Sequence, residues 1–278
     1  WHGNHGWHPE AKRIASELAS WCRTQQLPLL ISTSTNDSTG SEARARQWRY
    51  DELHQVCQQI NQNDGGNPCC SVVTGHTASD RAETLLLQLS RGTDLAGLAS
   101  LRWERSLKGN ATDGIRLVRP LLNFSRDETA AICSDLQLPI WTDPSNSDSR
   151  FARNRIRQEV LPVLETMYPG CSRRMAELSE RVSQVQDTQS ALLAMSLEQL
   201  KGQNGALKRP PLQQLPSSAR QLILHGWLQT QGIASLPARQ LAELSTAIGP
   251  RQPPGERHLA GRKRLHWSRD WVQLEDQS

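Results

Sequence analysis

Hydrophobic positions recur along the chain in two alternating rhythms. Residues 10–25 place Ile14, Leu18 and Trp21 on one helical face. The run Leu27-Pro28-Leu29-Leu30-Ile31 predicts a short buried strand, and 33–41 a polar loop. Residues 42–60 return to a helical spacing with Trp48, Leu53, Val56 and Ile60 inward, and 61–68 are again polar. Ser71-Val72-Val73-Thr74 predicts a strand and 80–89 a helix. Such β-α alternation predicts an α/β fold: a Rossmann-like parallel sheet with helices on both faces.

The second half changes rhythm. Residues 103–113 predict a polar connection and 115–118 a short extended piece. Ser125 and Glu128 have the spacing of a capping box, which starts a helix running to about Leu136. Residues 152–165 carry the stripe Ile156, Val160, Val163, and Pro169-Gly170 then breaks the chain. That break divides the sequence into 1–168 and 169–278. Beyond it, Met175, Leu178, Val182, Val185 and Leu192 predict one long amphipathic helix of near-heptad spacing. Core packing or a strut is its main meaning, and a homodimer coiled coil the lesser one. A Gly/Pro-rich linker (202–211), two helices (217–231 and 236–248) and a β-like meander over 258–274 complete a helical linker region and a small C-terminal α+β domain.

Composition adds little. A net charge of +4 fits a polyanionic partner without requiring one. The six cysteines have no ligand spacing, so metal or disulfide roles are disfavoured. No stretch is long and apolar enough to span a membrane.

Candidate chemistry concentrates in Gly75-His76-Thr77-Ala78-Ser79-Asp80-Arg81-Ala82-Glu83-Thr84. A strand turning through Gly-His into an acidic helix start presents polar groups at the carboxyl edge of an open sheet. Asp80 and Glu83 fall in the first helical turn, where the dipole favours their ionised forms. An ordinary capped helix reads equally well. His76 suits a phosphate contact or proton acceptor, or simply caps the helix. Arg150, Arg153 and Arg157 have the spacing of one helix face and could clamp phosphates, with Asn154 orienting one of them. Arg46 and Arg49 beside Trp48, and Arg262, Lys263 and Arg264 beside Trp267 and Trp271, are basic-aromatic groupings suited to RNA, with a plain exposed face for the first and the meander's own core for the two Trp as the alternatives.

The Gly75–Thr84 segment resembles the second signature of the tRNA(Ile)-lysidine synthetases, members of the PP-loop ATP pyrophosphatase group. Further landmarks follow in the family's order. Asn4-His5-Gly6-Trp7-His8-Pro9-Glu10 is similar to its early His-Gly element, with His8 where the family carries Arg. Glu42 to Tyr50 resembles its Arg-rich helix ending in Arg-Tyr, and Arg91-Gly92-Thr93 its loop after the acidic helix. Arg119-Pro120-Leu121-Leu122 resembles its Arg-Pro-Leu element. Asp143-Pro144-Ser145-Asn146 with Arg150 to Arg157 resembles its most characteristic block. The likeness covers roughly the first 165 residues well and the rest loosely.

The resemblance implies a two-step ligase. ATP adenylates the wobble cytidine of an isoleucine tRNA with a CAU anticodon, and free L-lysine displaces AMP to leave lysidine. It implies ATP and Mg2+ as cofactors, and cytoplasmic location (plastid in a eukaryote). Asp80, His76 and Glu83 are implied as catalytic, Asp80 also as metal ligand, and Gly75, Thr84 and Arg119 as ATP contacts. Ser79 stands where the family often has a second Asp, which leaves fewer charges for a metal.

The family's phosphate loop, Ser-Gly-Gly-x-Asp-Ser, has no match; Ser32 to Ser38 lacks the paired glycine. The expectation is a piece of a longer chain whose first strand, loop and helix precede Trp1, and which alone folds poorly and does not bind ATP. The alternatives are a catalytically inactive RNA-binding homologue and a related tRNA thiolase, the latter disfavoured by the scattered cysteines.

Overall fold

The structure is a computed structural model. It describes every residue except 5, 7–9, 35–41, 64–65, 67, 109–113, 143–147, 234–235 and 277–278, and every described side chain except those at 42 and 203. Most of the early His-Gly element, much of the 33–41 loop and the Asp143-Pro144-Ser145-Asn146 segment lie outside the described residues. The chain forms two compact units, Trp1–Gln184 and Val185–Ser278. The division falls inside a helix, beyond the Pro169-Gly170 break.

The first unit opens with β1 (His2–Asn4), α1 (Ala11–Thr24) and β2 (Ile31–Thr33), with β1 and β2 parallel. Then come α2 (Glu42–Asn63), β3 (Ser71–Val73), α3 (Ala78–Arg91) and the short α4 (Leu95–Leu98). β4 (Glu104–Ser106), β5 (Arg116–Val118) and α5 (Arg126–Asp135) follow. α6 (Ala152–Arg155) runs through a π-helical turn (Ile156–Val160) into α7 (Leu161–Met167) and then α8 (Cys171–Leu200). β3 and β5 are parallel neighbours, and β4 pairs antiparallel with the outer side of β5. Cys57, Val72, Leu107, Ile115 and Leu117 form the core between α2 and this sheet.

Three expectations need correction here. The strand expected at 27–31 forms instead at Ile31–Thr33, and Leu27, Leu30 and Ile31 are 50%, 52% and 43% exposed. Pro28 has no amide to give a ladder, so pairing begins beyond it. The connection expected at 103–113 contains β4, because burying Leu107 and Ile115 folds the flanking backbone into a pair joined by Leu107 N–H to the Ile115 carbonyl (3.0 Å). On α2 the buried positions are Ala45, His54 and Cys57 rather than Ile60.

The burial of α8 also departs from its apolar periodicity. Leu178, Val185 and Leu192 are 46%, 59% and 58% exposed, whereas Ala176, Ser179 and Ser183 are buried. Small side chains allow close approach: the Ser179 hydroxyl donates to the Leu98 carbonyl at 2.7 Å. A pattern of large apolar residues does not register this contact.

The second unit contains β6 (Leu207–Lys208), α9 (Arg209–Gln214), α10 (Ser217–Thr230), α11 (Ala238–Ile248), β7 (Gly255–Leu259), β8 (Lys263–Trp267) and β9 (Trp271–Asp276). Its sheet has the order β6-β9-β8-β7, antiparallel throughout. The stretch expected to be a linker, 202–211, is built into this fold. Gly202 lies under the Trp271 ring, where an added Cβ would come within 2.1 Å of it. Leu224, Trp227, Leu228, Ile248, Leu265 and Val272 are among the side chains that fill the core.

Candidate active site at the β3–α3 turn

β3 ends at Val73, and Thr74-Gly75-His76 turns the chain into α3. Thr77 is the N-cap. Its backbone N–H donates to Asp80 Oδ2 at 2.8 Å and its hydroxyl donates to the same oxygen at 2.9 Å, while the hydroxyl accepts from Asp80 N–H at 3.4 Å. Half of the Asp80 carboxylate is thus a helix cap. The other oxygen, Oδ1, faces arginines.

Glu83, one turn further along α3, is fully buried. Arg153 of α6 donates Nε to Glu83 Oε2 at 2.8 Å, and Arg157 of the π turn donates Nε to Oε1 at 2.6 Å. Arg153 also reaches Asp80 Oδ1 at 3.2 Å. Arg126, the first residue of α5, donates to Asp80 Oδ1 at 3.2 Å and to Glu83 Oε1 at 3.4 Å. Two carboxylates therefore meet three guanidiniums, a pairing that offsets the desolvation of a buried Glu.

Burial opposes ionisation of Asp80, but the Thr77 hydrogen bonds and the Arg153 and Arg126 guanidiniums outweigh it and hold the carboxyl below its usual range. Burial, with Arg119, Arg153 and Arg46 nearby, outweighs the pull of Asp80 and pushes His76 down to about 4. Its imidazole is therefore neutral at physiological pH, with Nδ1 2.9 Å from the Thr74 hydroxyl. A cavity of about 900 Å3 opens here, lined among others by Gly75, His76, Asp80, Arg153, Arg157 and Arg46.

The remaining expected residues fall in varied places. Arg150 lies before α6, not on its face; it is 85% exposed and forks onto Asp148 at 2.6 Å, so the expected three-arginine row is two. Asn154 is buried and donates to the Asp148 carbonyl at 2.9 Å. The Thr84 hydroxyl donates back to the Asp80 carbonyl at 2.7 Å, within the helix. Arg119 is 1% exposed and donates to the Arg102 carbonyl at 2.6 Å. Arg46 stacks over the Tyr50 ring at 4.9 Å, as Arg105 also does.

In the second unit, Arg262 occupies the exposed β7–β8 turn. Lys263 pairs with Asp276, and Arg264 with Glu275 at 2.6 Å. Trp267 is in the core and the Trp271 ring covers Gly202, so neither ring stands free as a stacking platform. Sequence reading missed Arg126, whose only signal was its place in the first turn after the Ser125 cap. It also missed Arg81, buried against the Leu101 carbonyl and Glu180 (2.9 Å).

The surroundings of Asp80 do not fit a magnesium ligand. Oδ2 is held by the cap and Oδ1 by guanidiniums. Among the described residues no group of three His, Cys, Asp or Glu could hold a metal ion. A hard divalent cation needs free carboxylate oxygens.

A family model described as a PP-loop domain matches residues 1–164, and a second, described as the TilS substrate binding domain, matches 207–272. A tRNA(Ile)-lysidine synthase of Parasynechococcus marenigrum is 50% identical over 275 residues, covering 99% of this chain and 79% of the relative. The chain belongs to the tRNA(Ile)-lysidine synthase family. A synthase of that name from Prochlorococcus marinus is 39% identical over 274 residues, covering 99% of this chain and 80% of the relative. Among solved structures, the U34-tRNA thiolase NcsA of Methanococcus maripaludis superposes with a TM-score of 0.51 at 15% identity. It covers 66% of this chain and 60% of its own, a likeness of fold. Among the described residues no helix is long and apolar enough to cross a membrane.

Proposed function

We propose that the protein is a tRNA-modifying ligase that converts the wobble cytidine of isoleucine tRNA with a CAU anticodon to lysidine. In the first step the cytidine C2 oxygen attacks the α-phosphate of ATP and pyrophosphate leaves. In the second, the amine of free lysine attacks C2 and AMP leaves with its oxygen. The observation that carries this is the 50% identity, over 99% of the chain, to a lysidine synthase.

The site geometry is suited to the second step. Asp80 and Glu83 are the acidic groups that an ammonium can pair with by exchange for a guanidinium, and Arg153 and Arg126 help hold the Asp80 carboxyl below its usual range. The same arginines border the cavity and can face the adenylate phosphate. His76, low in basicity, serves better as a neutral hydrogen-bonding partner than as a proton store. Arg46 and Arg49, which also line the cavity, add positive charge for phosphates of ATP or tRNA. Magnesium belongs to this proposal as a counter-ion of the nucleotide phosphates, not as a ligand of Asp80. Arg150 and Arg262, on exposed loops, are the candidate tRNA backbone contacts, and the protein works in the cytoplasm. A homodimer draws support from exposed Leu178, Val185 and Leu192 at heptad spacing, which sedimentation tests.

The experiment is lysine transfer. The full-length protein, unmodified isoleucine tRNA, ATP and labelled lysine should give label in the tRNA, with AMP and pyrophosphate in equal amounts. A second reading is a catalytically inactive RNA-binding protein that uses the arginines lining the cavity without turnover. Binding of the tRNA with no pyrophosphate release would select it. ATP-dependent sulfur transfer would instead point to a thiolase.

A further inference from the structure

The buried acidic pair holds more positive charge than it needs. Arg153 and Arg157 each bring one positive charge and bind Glu83 at 2.6–2.9 Å. They are 19% and 24% exposed, and between them they match the two carboxylates. Arg126 is a third cation on the same oxygens. It makes no contact as short as those that Arg153 and Arg157 make to Glu83: it lies 3.2 Å from Asp80 and 3.4 Å from Glu83, and its side chain is the most exposed of the three, at 41%. Such an ion pair is screened by water and held weakly.

The base of Arg126 is held independently of its guanidinium. Its backbone N–H donates to the Ser79 hydroxyl at 3.1 Å, and Ser125 caps the helix directly before it. The guanidinium can therefore leave the carboxylates by side-chain rotation alone, with α5 in place. Glu83 has no water-facing surface, so a second cation reaches this pair most directly by taking the position that Arg126 holds.

We propose that Arg126 is a displaceable counter-cation: its guanidinium occupies the Asp80–Glu83 pair while the amine substrate is absent, and the ammonium of that substrate replaces it there. This rests on the proposed lysine-transfer reaction. Displacement makes Arg126 a competitor of the amine, so it sets the affinity for lysine and selects a compact ammonium that can enter where the guanidinium stood.

The test is steady-state lysine transfer by full-length wild type, Arg126→Gln and Arg126→Lys, with KM for lysine and kcat separated and KM for ATP as the internal reference. Removing a weak competing ion pair lowers KM for lysine about two- to five-fold in Arg126→Gln, with a smaller fall in Arg126→Lys, which keeps a cation. A purely structural role for Arg126 would not lower KM for lysine selectively. An unchanged or raised KM for lysine, or a loss confined to kcat, overturns the assignment and leaves the ligase reading standing. Wild-type turnover that does not depend on lysine overturns both.

Discussion

The half-buried arginines of the candidate site meet carboxylates, whereas the buried ones, Arg81 and Arg119 of the first unit and Arg209 and Arg220 of the second, reach backbone carbonyls. In the first unit Arg153 and Arg157 face carboxylates at the edge of a cavity. In the second, Arg209 and Arg220 face backbone carbonyls. Arg209 is 1% exposed and donates to the carbonyls of Ile248, Ser268 and Gln252 at 3.0, 2.6 and 2.7 Å. Arg220 donates to the Ser245 and Leu215 carbonyls at 2.9 and 3.1 Å. Guanidiniums that close off loop and helix ends hold a fold together. Guanidiniums that pair with two carboxylates beside open space keep charge available for chemistry. The difference separates a structural from a functional buried charge where the residue type is the same.

The largest expected effect strikes the first kind of pairing. Glu83→Ala leaves three guanidiniums facing a void, and breaking a buried ion cluster from one side costs about 3–5 kcal/mol. Thermal unfolding should show this. Arg209→Leu should destabilise by about 2–4 kcal/mol, since three carbonyls lose their donor, yet pyrophosphate release should persist at temperatures where the protein is folded. Equal loss of chemistry in both variants would erase the comparison.

A pH dependence sharpens it further. The folded-state value for His76, about 4, lies below its ordinary 6.5. Between these values the unfolded chain binds a proton that the folded chain does not. Stability is therefore full above pH 6.5 and falls as pH drops toward 4. His76→Gln should flatten that slope in acid-unfolding curves.

The smallest effect concerns α8. Glu165 accepts from Gly170 and Ser172 N–H at 2.6 and 2.8 Å, and the Ser172 hydrogen bonds are the main cause that brings its carboxyl down to about 2. Glu165→Gln should cost about 1 kcal/mol as a lost cap. Because the folded value is depressed, the contribution of Glu165 holds above pH 4.5 and fades as pH falls toward 2, measurable as lost acid resistance.

Much of the first unit was legible in the sequence because its signals are local. The strand, Gly-His turn and acidic helix at 71–89 sit within one stretch, and Ser125–Glu128 forms the expected capping box. What escaped depends on distance along the chain. Arg126 meets Asp80 across 46 residues and belongs to no spacing pattern. The row through Arg150 looked helical, but α6 begins only at Ala152, beyond the Asp148–Arg150 pair. The α8 face was misassigned because small residues were buried for close approach while large ones stayed outside. Basic residues in the C-terminal sheet looked like an RNA surface, but the sequence does not reveal that Glu256, Glu275 and Asp276 lie opposite Arg264 and Lys263.

The most direct measurement compares full-length wild type with Glu83→Gln, a change that keeps side-chain shape and removes the charge, in lysine transfer to isoleucine tRNA, with folding checked by circular dichroism. Wild type should transfer lysine with ATP consumption, and the folded variant should lose transfer by a factor of about a hundred or more, of the size seen when a positioned charge is removed. Transfer by the variant at the wild-type rate would contradict the assignment of the buried acid–arginine cluster as the reaction site.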